Sequence, residues 1–129
     1  MKARLDLIGI VVADMGRSLA FYRELGMDVP EDADGQPHVE MTLPGGLRLA
    51  WDTRETVLSF LPDWEPPSGG QRIGLAFLLD SPADVDAAFE RLVTLGYDGH
   101  KEPWDAPWGQ RYALVRDPDG NGVDLFCPL

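Results

Sequence analysis

Hydrophobic and polar positions fall into the same order twice along the chain. Residues 5–12, Leu-Asp-Leu-Ile-Gly-Ile-Val-Val, read as a strand, and Met15, Leu19, Tyr22 and Leu25 then recur at the spacing of one helix face. The plan returns with a strand predicted over 72–79 and a helix over about 82–95, whose stripe is Val85, Ala88, Phe89, Leu92 and Leu95. Asp14 and Ser81 stand where N-caps belong, and Pro82 takes the first helical position. Gly26 and Gly96 sit where each helix needs a left-handed residue to end. Leu25-Gly26-Met27-Asp28 echoes Leu95-Gly96-Tyr97-Asp98, and Phe21 matches Phe89, so the chain reads as a degenerate tandem repeat.

After each helix the period shortens to two. Residues 38–43 alternate, Pro44-Gly45-Gly46 makes a hairpin turn, and 47–51 alternate again. Residues 56–61 read as the last strand of the first half. In the second half Tyr97 opens a short strand, and 111–116 and 122–126 flank the tight turn Asp117-Pro118-Asp119-Gly120-Asn121. The expected fold class is α+β: one domain of tandem βαβββ modules, about 1–62 and 72–129, forming a concave mixed sheet. The Pro- and Gly-rich stretch 62–71 joins them. Alternation puts Gly9, Gly74 and Ala76 on the concave side, which either leaves room for a ligand or lets the halves pack closely.

Charge narrows the partners. With 22 acidic and 11 basic residues the net charge is -11, which argues against nucleic acid and anionic membrane surfaces and favours attraction of cations. No apolar run approaches the ~18 residues of a membrane span, and no signal peptide is evident at the N-terminus. The single cysteine, Cys127, permits no internal disulfide and fits a cytoplasmic location.

Candidate chemistry concentrates in the aromatic residues. Of the four tryptophans, Trp64, Trp104 and Trp108 fall in or beside predicted loops, where large flat faces suit stacking on planar ligands and cations. Tyr112 adds a donor, and His38, Glu40 and Asp124 add polar anchors on the strand faces opposite the core. His100 is expected in a loop. No Gly-x-Ser-x-Gly elbow occurs, and Gly69-Gly70 lacks the following lysine of a phosphate loop.

Three stretches carry a family resemblance. They are residues 5–12, the segment Ser18-Leu19-Ala20-Phe21-Tyr22-Arg23-Glu24-Leu25-Gly26-Met27, and Trp108-Gly109-Gln110-Arg111 with the following Asp117–Leu125. Together they resemble the vicinal oxygen chelate family of glyoxalases, ring-cleaving dioxygenases and bleomycin-resistance proteins, and in particular its bleomycin-resistance-like branch. The family's enzymes hold a divalent metal with His and Glu side chains from both halves. The resemblance places those ligands at Leu7, within Leu47–Trp51, at Gly74 and at Asp124, of which only Asp124 has a ligating side chain. It therefore implies a homodimer that binds a small molecule with no metal or cofactor, an aromatic or cationic antibiotic being one such ligand. Its predicted contacts are Trp64, Trp104, Trp108, Tyr112, His38, Glu40 and Asp124. Three alternatives stay open: a metal-dependent lyase or dioxygenase with other ligands, a metal-independent enzyme using Asp124, Glu40 or His38 as acid or base, and a dimeric partner with a vestigial cup.

Overall fold

The computed structural model describes residues 1–129. The chain divides into two compact units, Met1–Pro67 and Ser68–Leu129, and the division falls inside the Pro- and Gly-rich connector.

The first unit runs β1 (Leu7–Val12), α1 (Met15–Glu24), a 3-10 turn at Glu31–Gly35, β2 (His38–Thr42), β3 (Arg48–Thr53) and α2 (Arg54–Leu58). Its sheet has the order β1-β3-β2, with β1 parallel and β2 antiparallel to β3. Asp14 caps α1 as predicted, its carboxylate accepting from the Arg17 amide at 2.9 Å. Gly26 ends that helix with φ at 87°. Met15, Leu19, Phe21 and Tyr22 of α1 are buried along with Ile10, Val12, Val39, Leu49 and Trp51 of the sheet. The heart of this core is aromatic: Phe21 meets Tyr22 edge-on at 5.0 Å, and Tyr22 meets Trp51 at 5.5 Å.

The predicted strand over 56–61 is not formed, and α2 occupies its start instead. Thr53 supplies the reason: its hydroxyl accepts from the Thr56 amide at 3.2 Å and begins a helical turn with Glu55 in its first positions. Alternation here had no core to face, for only Val57 is buried while Leu58, Phe60 and Leu61 are exposed.

The second unit is a full βαβββ module: β4 (Leu75–Leu78), α3 (Pro82–Thr94), β5 (Asp98–Ala106), β6 (Gln110–Arg116) and β7 (Gly122–Pro128). Its sheet has the order β4-β7-β6-β5, with only the β4–β7 pair parallel. Ser81 caps α3 by accepting from the Asp84 amide at 3.1 Å. The buried positions are aliphatic: Val85, Leu92, Ala113, Val115, Val123 and Leu125. Leu95 falls off the predicted stripe and is exposed, as is Ile73, which lies before β4 rather than within it.

β5 differs most from expectation. It spans nine residues and takes in His100, expected in a loop, and Trp104, expected in or beside one. Against β6 its register slips twice, so that Asp98, Lys101 and Trp104 oppose Arg116, Leu114 and Tyr112. Three residues of β5 thus span two of β6 at each step, the signature of bulges. The irregularity accommodates Pro103, which has no amide hydrogen for a ladder, on the end strand of the sheet. Gly99 lets β5 lie close to α3, since a Cβ there would stand 2.7 Å from atoms of Phe89 and Val93.

Candidate functional site

Strand alternation sorts the second sheet into two faces. Ala113, Val115, Val123, Leu125 and Cys127 are buried, whereas Tyr112, Leu114, Asp124 and Phe126 are half-exposed on the opposite face. Register aligns this open face into rows that cross all four strands. One row is Leu78, Phe126, Tyr112 and Trp104; the next is Ala76, Asp124, Leu114 and Lys101.

The first row is a continuous apolar and aromatic strip. Tyr112 stacks on Phe126 with ring centres 6.0 Å apart and meets Trp104 edge-on at 5.7 Å. Trp108, from the β5–β6 turn, closes the cluster at 5.3 Å from Tyr112 and 5.9 Å from Trp104. Its indole donates to Gln110 Oε1 at 3.0 Å, which fixes the ring. Leu78 at one end is 67% exposed and Trp108 at the other is 58% exposed, so the strip is open to solvent.

The second row brings charge alongside the rings. Asp124 Oδ2 accepts from the Tyr112 hydroxyl at 2.6 Å. Burial, and then this hydrogen bond, push the Tyr112 phenol up to about 12, so it remains a neutral donor throughout the physiological range. The Lys101 ammonium lies 4.5 Å from the centre of the Trp104 ring. Beyond Asp124 along β7, Gly122 has no side chain, and the Gln71 carboxamide fills the place where a Cβ would stand.

The first unit's open face has the opposite character. His38 pairs with Asp52 across the β2–β3 hairpin, Glu40 with Ala50 and Thr42 with Arg48. The charged groups join end to end: Asp6 to Arg48 at 2.6 Å, Arg48 to Glu40 at 2.9 Å, Glu40 to His38 Nε2 at 2.9 Å, and His38 Nδ1 to Asp52 at 2.5 Å. Hydrogen bonding to Glu40 first, and to Asp52 second, raises the His38 pKa and holds the ring toward its cationic form. His38 in turn, with Arg48, lowers the pKa of Glu40. Both ring nitrogens of His38 are engaged by carboxylates, so neither is presented as a base.

Of the seven residues predicted from sequence, Trp104, Trp108, Tyr112 and Asp124 therefore form one cluster on the second unit. His38 and Glu40 form a separate polar chain on the first. Trp64 follows α2 in the first unit, its amide donating to the Leu61 carbonyl at 3.0 Å. Lys101 and Asp52 are among the contributors that the sequence reading missed. The Pro44-Gly45-Gly46 turn fixes the hairpin register and would have found Asp52; Lys101 depends on a bulge with no sequence signature.

The donors present do not fit the divalent metal of related enzymes. Leu7 and Gly74 offer no ligating atom, Asp124 has one oxygen committed to Tyr112, and no three His, Cys, Asp or Glu side chains are grouped to hold an ion. A shallow groove of about 380 Å³ between α3 and β5 is lined by Phe89, Val93, Pro103 and Arg111, and no predicted site residue lines it. Arg111 there is tied to Asp86 at 2.9 Å and to Asp105 at 3.1 Å.

Each unit is thus a helix-backed mixed sheet with one open face, an α+β fold. A model of the Glyoxalase/Bleomycin resistance protein/Dioxygenase superfamily matches residues 4–125, and the chain belongs to that superfamily. The uncharacterized protein YwbC of Bacillus subtilis (strain 168) is 30% identical over 133 residues, covering 98% of each chain. A glyoxalase/bleomycin resistance protein/dioxygenase from Nocardioides superposes with a TM-score of 0.74 at 26% identity, over 100% of this chain and 85% of the other. A family enzyme from Burkholderia phytofirmans PsJN reaches a TM-score of 0.80 at 20% identity, over 98% and 100% of the two chains, a likeness of fold alone. No helix is long and apolar enough to cross a membrane.

Proposed function

We propose that this protein binds a small aromatic or cationic molecule on the open face of its second unit, without a metal ion, and acts by sequestration. An antibiotic is the ligand class suggested by the resistance proteins for which the superfamily is partly named. The observation that carries the reading is the row Leu78, Phe126, Tyr112 and Trp104 on the open face, its rings half-exposed, with the Asp124 carboxylate beside it. Rings held in contact with one another offer stiff apolar faces for stacking at little conformational cost. A half-buried carboxylate next to them, in a protein of net charge -11, favours a cationic partner. The reading rests on the second unit's residues; His38, Glu40 and Trp64 belong to the first. A homodimer is part of the proposal and is checked by light scattering.

Quenching of tryptophan fluorescence by a panel of flat aromatic compounds identifies ligands. Calorimetric titration of a quenching compound then tests the site. Trp104→Ala is expected to weaken binding at least tenfold, about 1.4 kcal/mol. Unchanged affinity in that variant removes the face from the proposal.

A further inference from the structure

Lys101 and Trp104 are three residues apart, a spacing that a regular strand would send to opposite faces. The slip in β5 brings both to the open face, where the Lys101 ammonium rests 4.5 Å from the centre of the Trp104 ring. That ring is the one partner of the ammonium: no carboxylate pairs with it, although the chain has 22 acidic residues. The aromatic row therefore already holds a cation, supplied by the protein itself. In the same row as Lys101, Asp124 has one oxygen bound to the Tyr112 hydroxyl and the other without a protein partner.

We infer that the ligand of this face is a flat aromatic cation whose charged nitrogen displaces the Lys101 ammonium from Trp104, and that Lys101 is the internal competitor that sets the site's affinity and charge preference. This rests on the reading of the face as a binding site. An incoming cation gains the Trp104 ring and the free Asp124 oxygen, but it must dislodge Lys101 and tolerate its charge nearby. Lys101 is exposed, so its side chain can swing into solvent once displaced. A ligand of opposite charge gains from Lys101 and is repelled by Asp124. Removing the lysine charge should thus move cationic and anionic ligands in opposite directions, which a purely structural lysine would not do.

Three flat tricyclic probes of different charge test this on the full chain: proflavine as the cation, anthracenemethanol as the neutral ring and anthracenecarboxylate as the anion. Each is titrated into the wild type, Lys101→Met, Lys101→Glu and Trp104→Ala. Lys101→Met keeps the aliphatic stem and lies on an exposed strand, so folding is preserved. Proflavine is expected to bind about three- to fivefold tighter to Lys101→Met than to wild type, the size of an exposed cation–ring contact, and tighter still to Lys101→Glu. Anthracenecarboxylate is expected to bind more weakly to both, with anthracenemethanol changing less than either charged probe. Equal proflavine affinity in wild type and Lys101→Met, with the loss in Trp104→Ala retained, overturns the competitor role and leaves the binding face standing. Proflavine binding that is absent, or indifferent to Trp104→Ala, overturns both.

Discussion

The two units of this chain place their main aromatic clusters on opposite sides of their sheets. In the first, Phe21, Tyr22 and Trp51 are wholly buried between α1 and the sheet, and the other face is a chain of charges from Asp6 to Asp52. In the second, the core is made of valine, leucine and alanine, and Trp104, Trp108, Tyr112 and Phe126 lie on the open face. Buried rings contribute apolar area and packing to the fold. Exposed rings that touch one another leave that area available to a partner. A repeated module can therefore divide labour: one copy's aromatic residues stabilise, and the other's are free to bind.

The largest expected effect tests the first half of that contrast. Trp51→Ala should cost roughly 3–5 kcal/mol in urea denaturation, because the ring is fully buried against Tyr22. Trp108→Ala should cost less than about 1 kcal/mol in the same measurement, since its ring contacts are edge-on and exposed. Equal losses would break the comparison. Next in size is the tenfold weakening of ligand binding in Trp104→Ala, accompanied by little change in stability.

Asp124→Asn sharpens the polar side of the second face. Loss of the carboxylate should bring the Tyr112 pKa down from about 12, although it stays above the ordinary 10.0 because burial remains. Ultraviolet titration of tyrosinate reads this directly, and an unmoved curve would mean that the hydrogen bond contributes nothing. The smallest effect belongs to His38. Its pKa is raised in the folded state, so its ion pairs contribute stability that is fully present below the unfolded value and fades as pH rises through the folded value. The stability gap between wild type and His38→Gln should therefore narrow as pH is raised from weakly acidic to alkaline. The ring is almost half exposed, which keeps the gap small. A gap that widened with pH would reverse the assignment.

The repeat was legible because each signal was local. Asp14 and Ser81 capped where capping chemistry required, and Gly26 and Gly96 took the left-handed turn at 87° and 96°. The same logic failed at 56–61, where a strand pattern competed with a Thr53 cap and only Val57 is buried. Asp124 and Tyr112 could both be named as site residues because both lie on regular strands. Trp104 could be named as a stacking contact but placed only in or beside a loop, because period-two counting loses its phase across a bulge. Lys101 was invisible for the same reason: its place beside Trp104 is a property of register, which pairing with β6 sets.

The bulged strand has a consequence for behaviour at high concentration. An end strand offers its unpaired backbone groups to any strand of another molecule, and long, flat, apolar end strands seed aggregation. β5 is the end strand beside an exposed tryptophan cluster, where such a seed would do most harm. Its two register slips and Pro103 divide the free edge into short, misaligned pieces, and Lys101, Glu102 and Asp105 set charges along it. The geometry that turns Lys101 and Trp104 to one face thus also makes this edge a poor template for intermolecular sheet growth.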